Sequence, residues 1–345
     1  MTTPVAPLLE VRDLQVHFPI GGGLFKPRAV VRAVDGVSFA VHKGTTFGIV
    51  GESGSGKSTT ALAIMRLVRH TAGRMLLDGT DFGALDGEAL RRIRRRFQMV
   101  FQDPYASLNP RKRAGDAVRE ALELMEVGEP SSRPQRVSQL FAQVGLRPEQ
   151  LMLFPHQFSG GQRQRIVLAR ALAANPDLVV CDEPVSALDV AIQAQILNLM
   201  QRLQRELGLT YLFISHDLGV IRHMCDEIAV MYLGLIVEQA DRETLFERPL
   251  HPYTLALWSA APSFDPNARG RGRRIRLQGD PPSPINVPPG CRFAGRCPFA
   301  EQRCRDEPPA LRSVGAGHLV ACHRVSEAGE PLYDIGEASR ERVRA

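Results

Sequence analysis

A glycine-rich stretch near residue 50 carries the residue types that bind phosphate groups. It fits the pattern GxxxxGK[ST] and reads Gly51-Glu52-Ser53-Gly54-Ser55-Gly56-Lys57-Ser58. Its glycines permit backbone angles that point successive N–H groups at phosphate oxygens, and the N-terminus of a following helix favours an anion. In such a loop Lys57 reaches the β- and γ-phosphates, and the Ser58 hydroxyl binds Mg²⁺. The stretch predicts a nucleotide site that includes Thr59.

A second carboxylate for the metal follows a different apolar run. Leu178-Val179-Val180-Cys181 is typical of a buried strand, which would bring Asp182 to the carboxyl end of a sheet. The next residue, Glu183, is a candidate base for the water that attacks a phosphate. An Asp-Glu pair alone is weak evidence, but beside an intact phosphate loop it predicts a nucleoside triphosphatase.

The elements that must position these residues alternate along the chain. Short apolar runs predict strands, and apolar residues at helical spacing predict helices between them. This alternation favours an α/β fold with a mainly parallel sheet wrapped by helices, and with an inserted helical piece over residues 104–165. We expect strands over 8–18, 30–41, 46–50, 178–181 and 210–215, and a helix over 58–68.

Composition excludes several other classes of protein. The chain has 345 residues, 44% hydrophobic and 23% charged, which is enough for a large core and argues against disorder. Its longest apolar run, Ile228 to Val237, is shorter than the roughly 18 residues of a membrane span. The N-terminus has no secretory signal, so we expect a cytoplasmic chain.

The net charge of +6 does not indicate a nucleic-acid partner. All but four of the 43 basic residues are arginine. We attribute this preference for arginine over lysine to a biased genome composition and not to a binding partner. The basic run from Arg91 to Arg96 has no interleaved aromatic residues for base stacking. We interpret it as a solvated helix face and expect no nucleic acid.

A third motif resembles a known family. Phe158-Ser159-Gly160-Gly161-Gln162 is similar to the signature of ATP-binding-cassette (ABC) proteins. The resemblance covers residues 8–260 and implies a P-loop ABC ATPase domain over 1–260 with a RecA-like core, an antiparallel β subdomain and a helical subdomain. It also implies a dimer that sandwiches two ATP molecules, in which Ser159, Gly160, Gly161 and Gln162 of one chain contact the γ-phosphate held by the other.

The other elements of that family stand in order along the chain. Gln102 resembles the glutamine that touches Mg²⁺ and water and senses the membrane partner. Asp189 resembles the D-loop aspartate, and His216 resembles the switch histidine that contacts the γ-phosphate. Phe18 falls where the family places an aromatic on adenine, although the insert Gly21-Gly22-Gly23 could move that contact to a neighbour such as Arg32. The resemblance implies catalytic roles for Gln102, Glu183 and His216.

The composition changes after about residue 260. Residues 281–289 hold five prolines, so we interpret 261–289 as an extended linker that leads to a small module over 290–325 and a tail over 326–345. The module holds four cysteines with the spacing C-x5-C-x6-C-x17-C: Cys291, Cys297, Cys304 and Cys322. From spacing alone, an iron–sulfur cluster, a zinc ion and free thiols are equally open.

A second resemblance narrows that choice. Pro281-Pro282-Ser283-Pro284, the segment around Cys291 and Cys297, and His251-Pro252-Tyr253-Thr254 look like the C-terminal extension of oligopeptide and dipeptide importer ATPases, of the second ATPase type. This resemblance implies a [4Fe–4S] cluster on the four cysteines, with zinc as the alternative.

The same resemblance implies a function and partners. We expect the ATP-hydrolysing subunit of a bacterial importer of oligopeptides or dipeptides, peripheral to the cytoplasmic face of the inner membrane. Its partners would be two transmembrane permeases, a second ABC ATPase and an extracytoplasmic substrate-binding protein. The alternatives are the same role for nickel or another small solute, a soluble ABC ATPase that acts on nucleic acid or ribosomes, and an iron–sulfur redox protein.

Overall fold

The computed structural model describes residues 6–21, 29–260, 275, 277, 279–315 and 317–333. Its strands are β1 (Leu9–Ile20), β2 (Ala29–Val41), β3 (Thr46–Val50), β4 (Ala72–Leu77), β5 (Thr80–Asp81), β6 (Phe97–Val100), β7 (Leu178–Asp182), β8 (Thr210–Ser215), β9 (Glu227–Tyr232), β10 (Leu235–Asp241), β11 (Arg312–Ser313) and β12 (Leu319–Val320). Its helices are α1 (Lys57–Ile64), α2 (Gly87–Arg94), α3 (Ala114–Leu124), α4 (Arg133–Gln143), α5 (Gly160–Leu172), α6 (Val190–Leu207), α7 (Leu218–Met224), α8 (Arg242–Glu247), α9 (Pro252–Ala260) and α10 (Gln302–Asp306). All the strands predicted from the sequence are present, with small shifts at their ends.

The larger sheet carries the predicted phosphate loop and both acidic residues. Its strand order is β11-β12-β10-β9-β3-β8-β7-β6, and the five strands from β9 to β6 pair in parallel as expected. Strand β10 instead runs antiparallel to β9, because Leu233 and Gly234 both adopt left-handed backbone angles (φ 44° and 81°) and close a tight hairpin. The sheet is therefore mixed, with an antiparallel edge.

A second, antiparallel sheet packs against this core. Its order is β2-β1-β4-β5, which agrees with the antiparallel β subdomain implied by the resemblance. Phe39 on β2 stacks on Phe47 on β3, with ring centroids 4.9 Å apart. Both rings are buried, so this contact helps to join the two sheets.

The predicted helical piece lies between β6 and β7. It contains α3, α4, two 3₁₀ turns at Pro148–Met152 and Pro155–Gln157, and α5. Helix α5 runs to Leu172, beyond the expected limit at 165, because its buried face continues through Ala171 and Leu172. Helix α1 is shorter than the predicted 58–68 and ends at Ile64, since Arg66 adopts φ 55°.

The C-terminal module is attached to the main sheet. Glu238 and Gln239 of β10 pair with Val320 and Leu319 of β12, so the module extends the sheet edge. Tyr333 stacks on Phe299, which holds the chain after the module in place. Gly22 and Gly23 of the predicted insert, residues 261–274 of the predicted linker and residues 334–345 of the tail lie outside the described residues.

Candidate nucleotide site

The phosphate loop joins β3 to α1, as the sequence predicts. Gly51 follows β3 directly, and a Cβ atom there would lie 2.2 Å from the carbonyl oxygen of Met231. Gly56 adopts φ 108°, and a Cβ atom on it would lie 2.3 Å from the carbonyl oxygen of Ala33. Both positions therefore require glycine, because neighbouring backbone leaves no room for a side chain.

The side chain of Lys57 is buried inside the loop. Its Nζ donates hydrogen bonds of 2.8 Å to the carbonyl oxygens of Gly51 and Glu52. Burial lowers the pKa of Lys57, against the opposing effect of the carboxylates of Glu183, Asp182 and Glu52. The ammonium group is thus held at the loop centre, where phosphate oxygens would take over its hydrogen bonds.

Two of the three predicted magnesium ligands, Ser58 and Asp182, are in contact. The hydroxyl of Ser58 donates a 3.0 Å hydrogen bond to a carboxylate oxygen of Asp182. Burial raises the pKa of Asp182, while this hydrogen bond lowers it and Glu183 raises it further. A hydroxyl and a carboxylate at the carboxyl end of neighbouring strands are the oxygen donors that Mg²⁺ takes beside a triphosphate. The donor set therefore fits Mg²⁺.

The candidate base lies between two other predicted residues. One carboxylate oxygen of Glu183 accepts a 3.0 Å hydrogen bond from the side-chain amide of Gln102, and the other lies 2.8 Å from Nδ1 of His216. Glu183 adopts φ 49°, a left-handed conformation that costs about 1–3 kcal/mol in a residue with a side chain. Its N–H bonds to the carbonyl oxygen of Ile214 on β8, which holds that conformation.

A cavity of about 550 Å³ opens over the loop. The predicted residues on its wall are Ser53, Gly54, Gly56, Lys57, Ser58, Thr59, Gln102, Glu183 and His216, and its other lining residues are Val31, Arg32, Ala33, Leu233, Gly234 and Pro284. Phe18 is not among them: it lies on β1 opposite Val31 and is half-exposed. Arg32, the alternative adenine contact, does line the cavity.

The signature lies elsewhere on the chain. Ser159 caps α5: its hydroxyl accepts a hydrogen bond from the N–H of Gln162, whose side chain accepts one from the N–H of Ser159. Asp189 precedes α6, and the two helix starts are in close contact, since a Cβ on Gly161 would lie 2.5 Å from Ile192. None of Ser159, Gly160, Gly161, Gln162 and Asp189 lines the cavity described above.

The sequence motifs do not indicate which residues from elsewhere in the chain hold the loop in place. Arg296 of the C-terminal module forms an ion pair with Glu52, and the hydroxyl of Tyr253 accepts a hydrogen bond from the Glu52 N–H. Pro284 reaches the cavity from the predicted linker. These residues lie about 200 or more positions from the loop, so no spacing pattern could have indicated them.

The four cysteines of the module are close together. Cys291, Cys297, Cys304 and Cys322 line one cavity of about 10 Å³. Burial raises the pKa of Cys297 and Cys322 to about 12 and that of Cys291 above its usual value. In the described part of the chain, no three His, Cys, Asp or Glu side chains are grouped so that they could hold a single metal ion. Four cysteine thiols are the donor set of a [4Fe–4S] cluster, but the space between them as the side chains stand is only about that of one water molecule.

The sequence is similar to known families and to named proteins. Residues 34–186 match the family described as ABC transporter, and residues 237–304 match the family described as oligopeptide/dipeptide transporter, C-terminal region. The chain is 50% identical to the oligopeptide transport ATP-binding protein AppF of Bacillus subtilis, over 92% of this chain and 98% of that one. It is 52% identical to the probable peptide ABC transporter ATP-binding protein y4tS of Sinorhizobium fredii, over 92% and 89%.

Solved structures agree with this similarity. The fold matches the dimeric ATP-binding cassette MJ0796 in a post-hydrolysis state bound to ADP and Pi, with a TM-score of 0.60 and 29% identity, over 68% of this chain and 98% of that one. No helix in the described residues has the length and apolar character needed to span a bilayer. From its sequence relatives and its intact nucleotide site, the chain belongs to the ABC transporter family as an ATP-hydrolysing subunit of the oligopeptide/dipeptide transporter type.

Proposed function

We propose that this chain energises the import of oligopeptides or dipeptides through separate permease subunits. The observation that carries the proposal is the combination of the contacts among Ser58, Asp182, Gln102, Glu183 and His216 with a C-terminal region of the oligopeptide/dipeptide transporter type. The relatives named for peptide transport cover nearly the whole chain, including that region. Residues outside the cassette therefore support peptide transport.

The proposed hydrolysis uses the contacts around Glu183. Its carboxylate would accept a proton from the water that attacks the γ-phosphorus in line, while Gln102 and His216 hold the carboxylate in place. Lys57 and the loop N–H groups would stabilise charge on the phosphate oxygens. Mg²⁺, when bound by Ser58 and Asp182, neutralises further negative charge on those oxygens.

The proposed active unit is a head-to-tail dimer of two cassettes. Ser159 and the start of α5 present a hydroxyl and a helix N-terminus, a combination suited to phosphate. Because these groups do not line this chain's own nucleotide cavity, they would act on ATP held by a second ABC ATPase. Asp189 would lie at the same interface, since α6 starts against the signature.

An apolar groove supports contact with a permease. The groove is about 370 Å³ in volume and is lined by Met65, Leu67, Met99, Phe101, Leu124 and Met125, among others. Leu67 and Leu124 are 53% and 62% exposed, and exposed apolar surface of this kind indicates a protein interface. Phe101 directly precedes Gln102, so a cytoplasmic segment of a permease seated here would lie one residue from the Glu183 contact. This arrangement would place the chain at the cytoplasmic face of the inner membrane.

The four cysteines support a structural cofactor. We propose a [4Fe–4S] cluster held by Cys291, Cys297, Cys304 and Cys322. The alternative, a single zinc ion, has less support, because no three such side chains of the described residues are grouped for one ion. The supporting observation is that the four thiols line one cavity in a segment with few strands or helices of its own. Bound there, the group would cross-link the module, because a small segment gains much of its stability from such a link.

The experiment that tests the transport role is gentle purification of the tagged chain from membranes of its native cell. We expect two multi-span permeases, a second ABC ATPase and a peptide-binding protein to co-purify with the chain. If the co-purified binding protein prefers nickel or another small solute, the transported solute is not a peptide, and the proposed coupling of ATP hydrolysis to import is unaffected. Recovery with ribosomes or nucleic acid and without permeases would contradict the proposal.

A further inference from the structure

Arg296 of the C-terminal module contacts the phosphate loop. Two guanidinium nitrogens of Arg296 lie 2.7 and 3.1 Å from the two carboxylate oxygens of Glu52, the second residue of the loop. The side chain of Arg296 is only 9% exposed and that of Glu52 is 31% exposed. A two-pronged pair of this kind fixes direction as well as distance, because both groups are planar. The module therefore constrains the orientation of the Glu52 side chain.

The backbone of Glu52 is held from a second side. Its N–H donates a 2.8 Å hydrogen bond to the hydroxyl of Tyr253 on α9. The ring of Tyr253 packs against Tyr232 and Phe293, with centroids 4.6 and 5.4 Å away. Phe293 belongs to the same module segment as Arg296. Both attachments of Glu52 thus depend on how this segment packs.

Glu52 is in turn joined to the phosphate-binding lysine. Its carbonyl oxygen accepts a 2.8 Å hydrogen bond from Nζ of Lys57. A rotation of the Glu52 peptide would therefore move one of the two carbonyl oxygens that hold the ammonium group. The chain of contacts runs from Arg296 through Glu52 to Lys57, without any contact between Arg296 and the nucleotide cavity.

A second arginine of the module, Arg292, contacts a residue that lines the nucleotide cavity. Arg292 donates hydrogen bonds to the carboxylate of Asp35 on β2 and to the carbonyl oxygen of Leu233. Leu233 and Gly234 line the cavity, and the Gly234 N–H bonds to the carbonyl oxygen of Ser55 in the loop at 2.8 Å. The module therefore supports the phosphate loop from two directions.

We propose that Arg296 is a positioning residue for ATP binding, which acts through Glu52 to hold the phosphate loop in the form that accepts the triphosphate. It does not take part in the attack on the γ-phosphorus, because it contacts neither Glu183 nor the cavity. The inference concerns the nucleotide site and is independent of which solute is transported. A merely structural arginine would stabilise the module without changing the affinity for ATP.

The test is steady-state hydrolysis by the purified chain with its metal content intact. For Arg296→Gln we expect KM for ATP to rise about tenfold, as for the loss of a hydrogen-bonded charge pair, with kcat within about twofold of wild type. Arg296→Lys should recover part of the loss, since lysine keeps the charge and loses the paired geometry. Arg303→Gln is the matched control, because Arg303 lies in the same module and pairs with Glu307 on the surface.

A double substitution separates positioning from general weakening. If Arg296 acts through Glu52, Arg296→Gln should add little to the KM of Glu52→Gln, because the pair is already broken. Additive effects, or a KM for Arg296→Gln equal to that of Arg303→Gln, would overturn the proposal. Hydrolysis of ATP by the wild-type chain in the same assay shows that the nucleotide site is active. Either of those results would therefore contradict the role of Arg296 and leave the proposed ATPase function unaffected.

A measurement on the wild-type chain covers the case in which Arg296→Gln does not fold. Coupling between two sites is reciprocal, so nucleotide on the loop must also stabilise the segment that holds it. We expect ADP to slow amide hydrogen exchange over residues 291–298 as well as over the loop, and to leave β11 and β12 unchanged. Exchange over 291–298 that is the same with and without ADP would overturn the proposal.

Discussion

The carboxylate of Glu183 lies 2.8 Å from the imidazole Nδ1 of His216, although 33 positions separate the two residues. Glu183 follows β7 and His216 follows β8, and these neighbouring strands run parallel. Their carboxyl ends therefore meet at one edge of the sheet, where Gln102, which follows β6, also lies. The hydrolytic residues are brought together by strand order.

Glu183→Gln should separate ATP binding from hydrolysis. The amide keeps the shape of the side chain and cannot accept a proton from water, so we expect turnover to fall at least about a hundredfold with ATP affinity retained. Phosphate release and nucleotide binding are the measurements. Glu206→Gln, which alters a surface pair with Arg202, is the control. Wild-type turnover in Glu183→Gln would remove Glu183 from the role of base.

Gly161→Ala should impair hydrolysis more than folding. The added Cβ would lie 2.5 Å from Cγ2 of Ile192 and would push the start of α6, which follows Asp189. Helix propensity favours alanine by about 1 kcal/mol and overpacking costs about 1–3 kcal/mol, so we expect a net loss of at most about 2 kcal/mol of stability. We expect at least about tenfold slower turnover at saturating ATP, because the displaced region would contact the second cassette.

The control for this prediction is Gly315→Ala, since no atom lies within 4 Å of the position its Cβ would take. Urea unfolding of both variants reports stability, and phosphate release reports turnover. A loss of stability in Gly161→Ala that accounts for the whole loss of activity would contradict the predicted interface role.

Leu124→Glu should weaken binding to the permeases. Leu124 is exposed in the apolar groove beside Phe101, where a buried charge would be costly. We expect several-fold less permease to co-purify with this variant, and unchanged ATP hydrolysis by the chain alone. Leu207→Glu introduces the same charge at a partly exposed leucine at the end of α6. Equal losses for the two variants would argue against the groove.

Asp35→Asn should lower stability in a pH-dependent way. Burial alone would raise the pKa of Asp35, but hydrogen bonds from Arg292 and His17 lower it below its ordinary value of 3.8. A lowered carboxyl pKa stabilises the fold above 3.8, and this contribution is lost as the pH falls through the folded-state value. We expect the variant to lose about 1–3 kcal/mol of unfolding free energy at neutral pH.

The measurement is urea unfolding of both proteins over a range of pH. The difference between wild type and Asp35→Asn should shrink as the pH falls below 3.8, since the wild-type carboxyl then becomes protonated. Asp78→Asn removes a more exposed pair with Arg96 and should cost less than about 1 kcal/mol. A difference for Asp35→Asn that does not depend on pH would show that packing, and not the ion pair, is responsible.

Metal analysis should distinguish the two proposed groups on the cysteines. For the chain purified without oxygen we expect four iron and four sulfide per chain, as a [4Fe–4S] cluster requires. Cys297→Ser should lose most of this iron, whereas Cys181→Ala should keep it, because Cys181 lies in the buried strand β7. Stoichiometric zinc without iron would overturn the cluster.

The nucleotide site was largely predictable from the sequence. The loop from Gly51 to Ser58, the Asp182–Glu183 pair and His216 each follow a short apolar strand, so local patterns of residue types are enough to locate them. The antiparallel turn into β10 was not predicted, because it depends on left-handed angles at Leu233 and Gly234. Leucine rarely adopts a positive φ, so the residue type at position 233 does not indicate such a turn.

The sequence by itself determined the phosphate chemistry of this protein, because a phosphate loop binds through successive backbone N–H groups and its residues are therefore contiguous in the chain. Only the tertiary structure decided what holds the loop in place. Arg296 and Tyr253 contact Glu52 from 244 and 201 positions away. Contacts over such distances arise from how strands and helices pack, and no local pattern of residues encodes them.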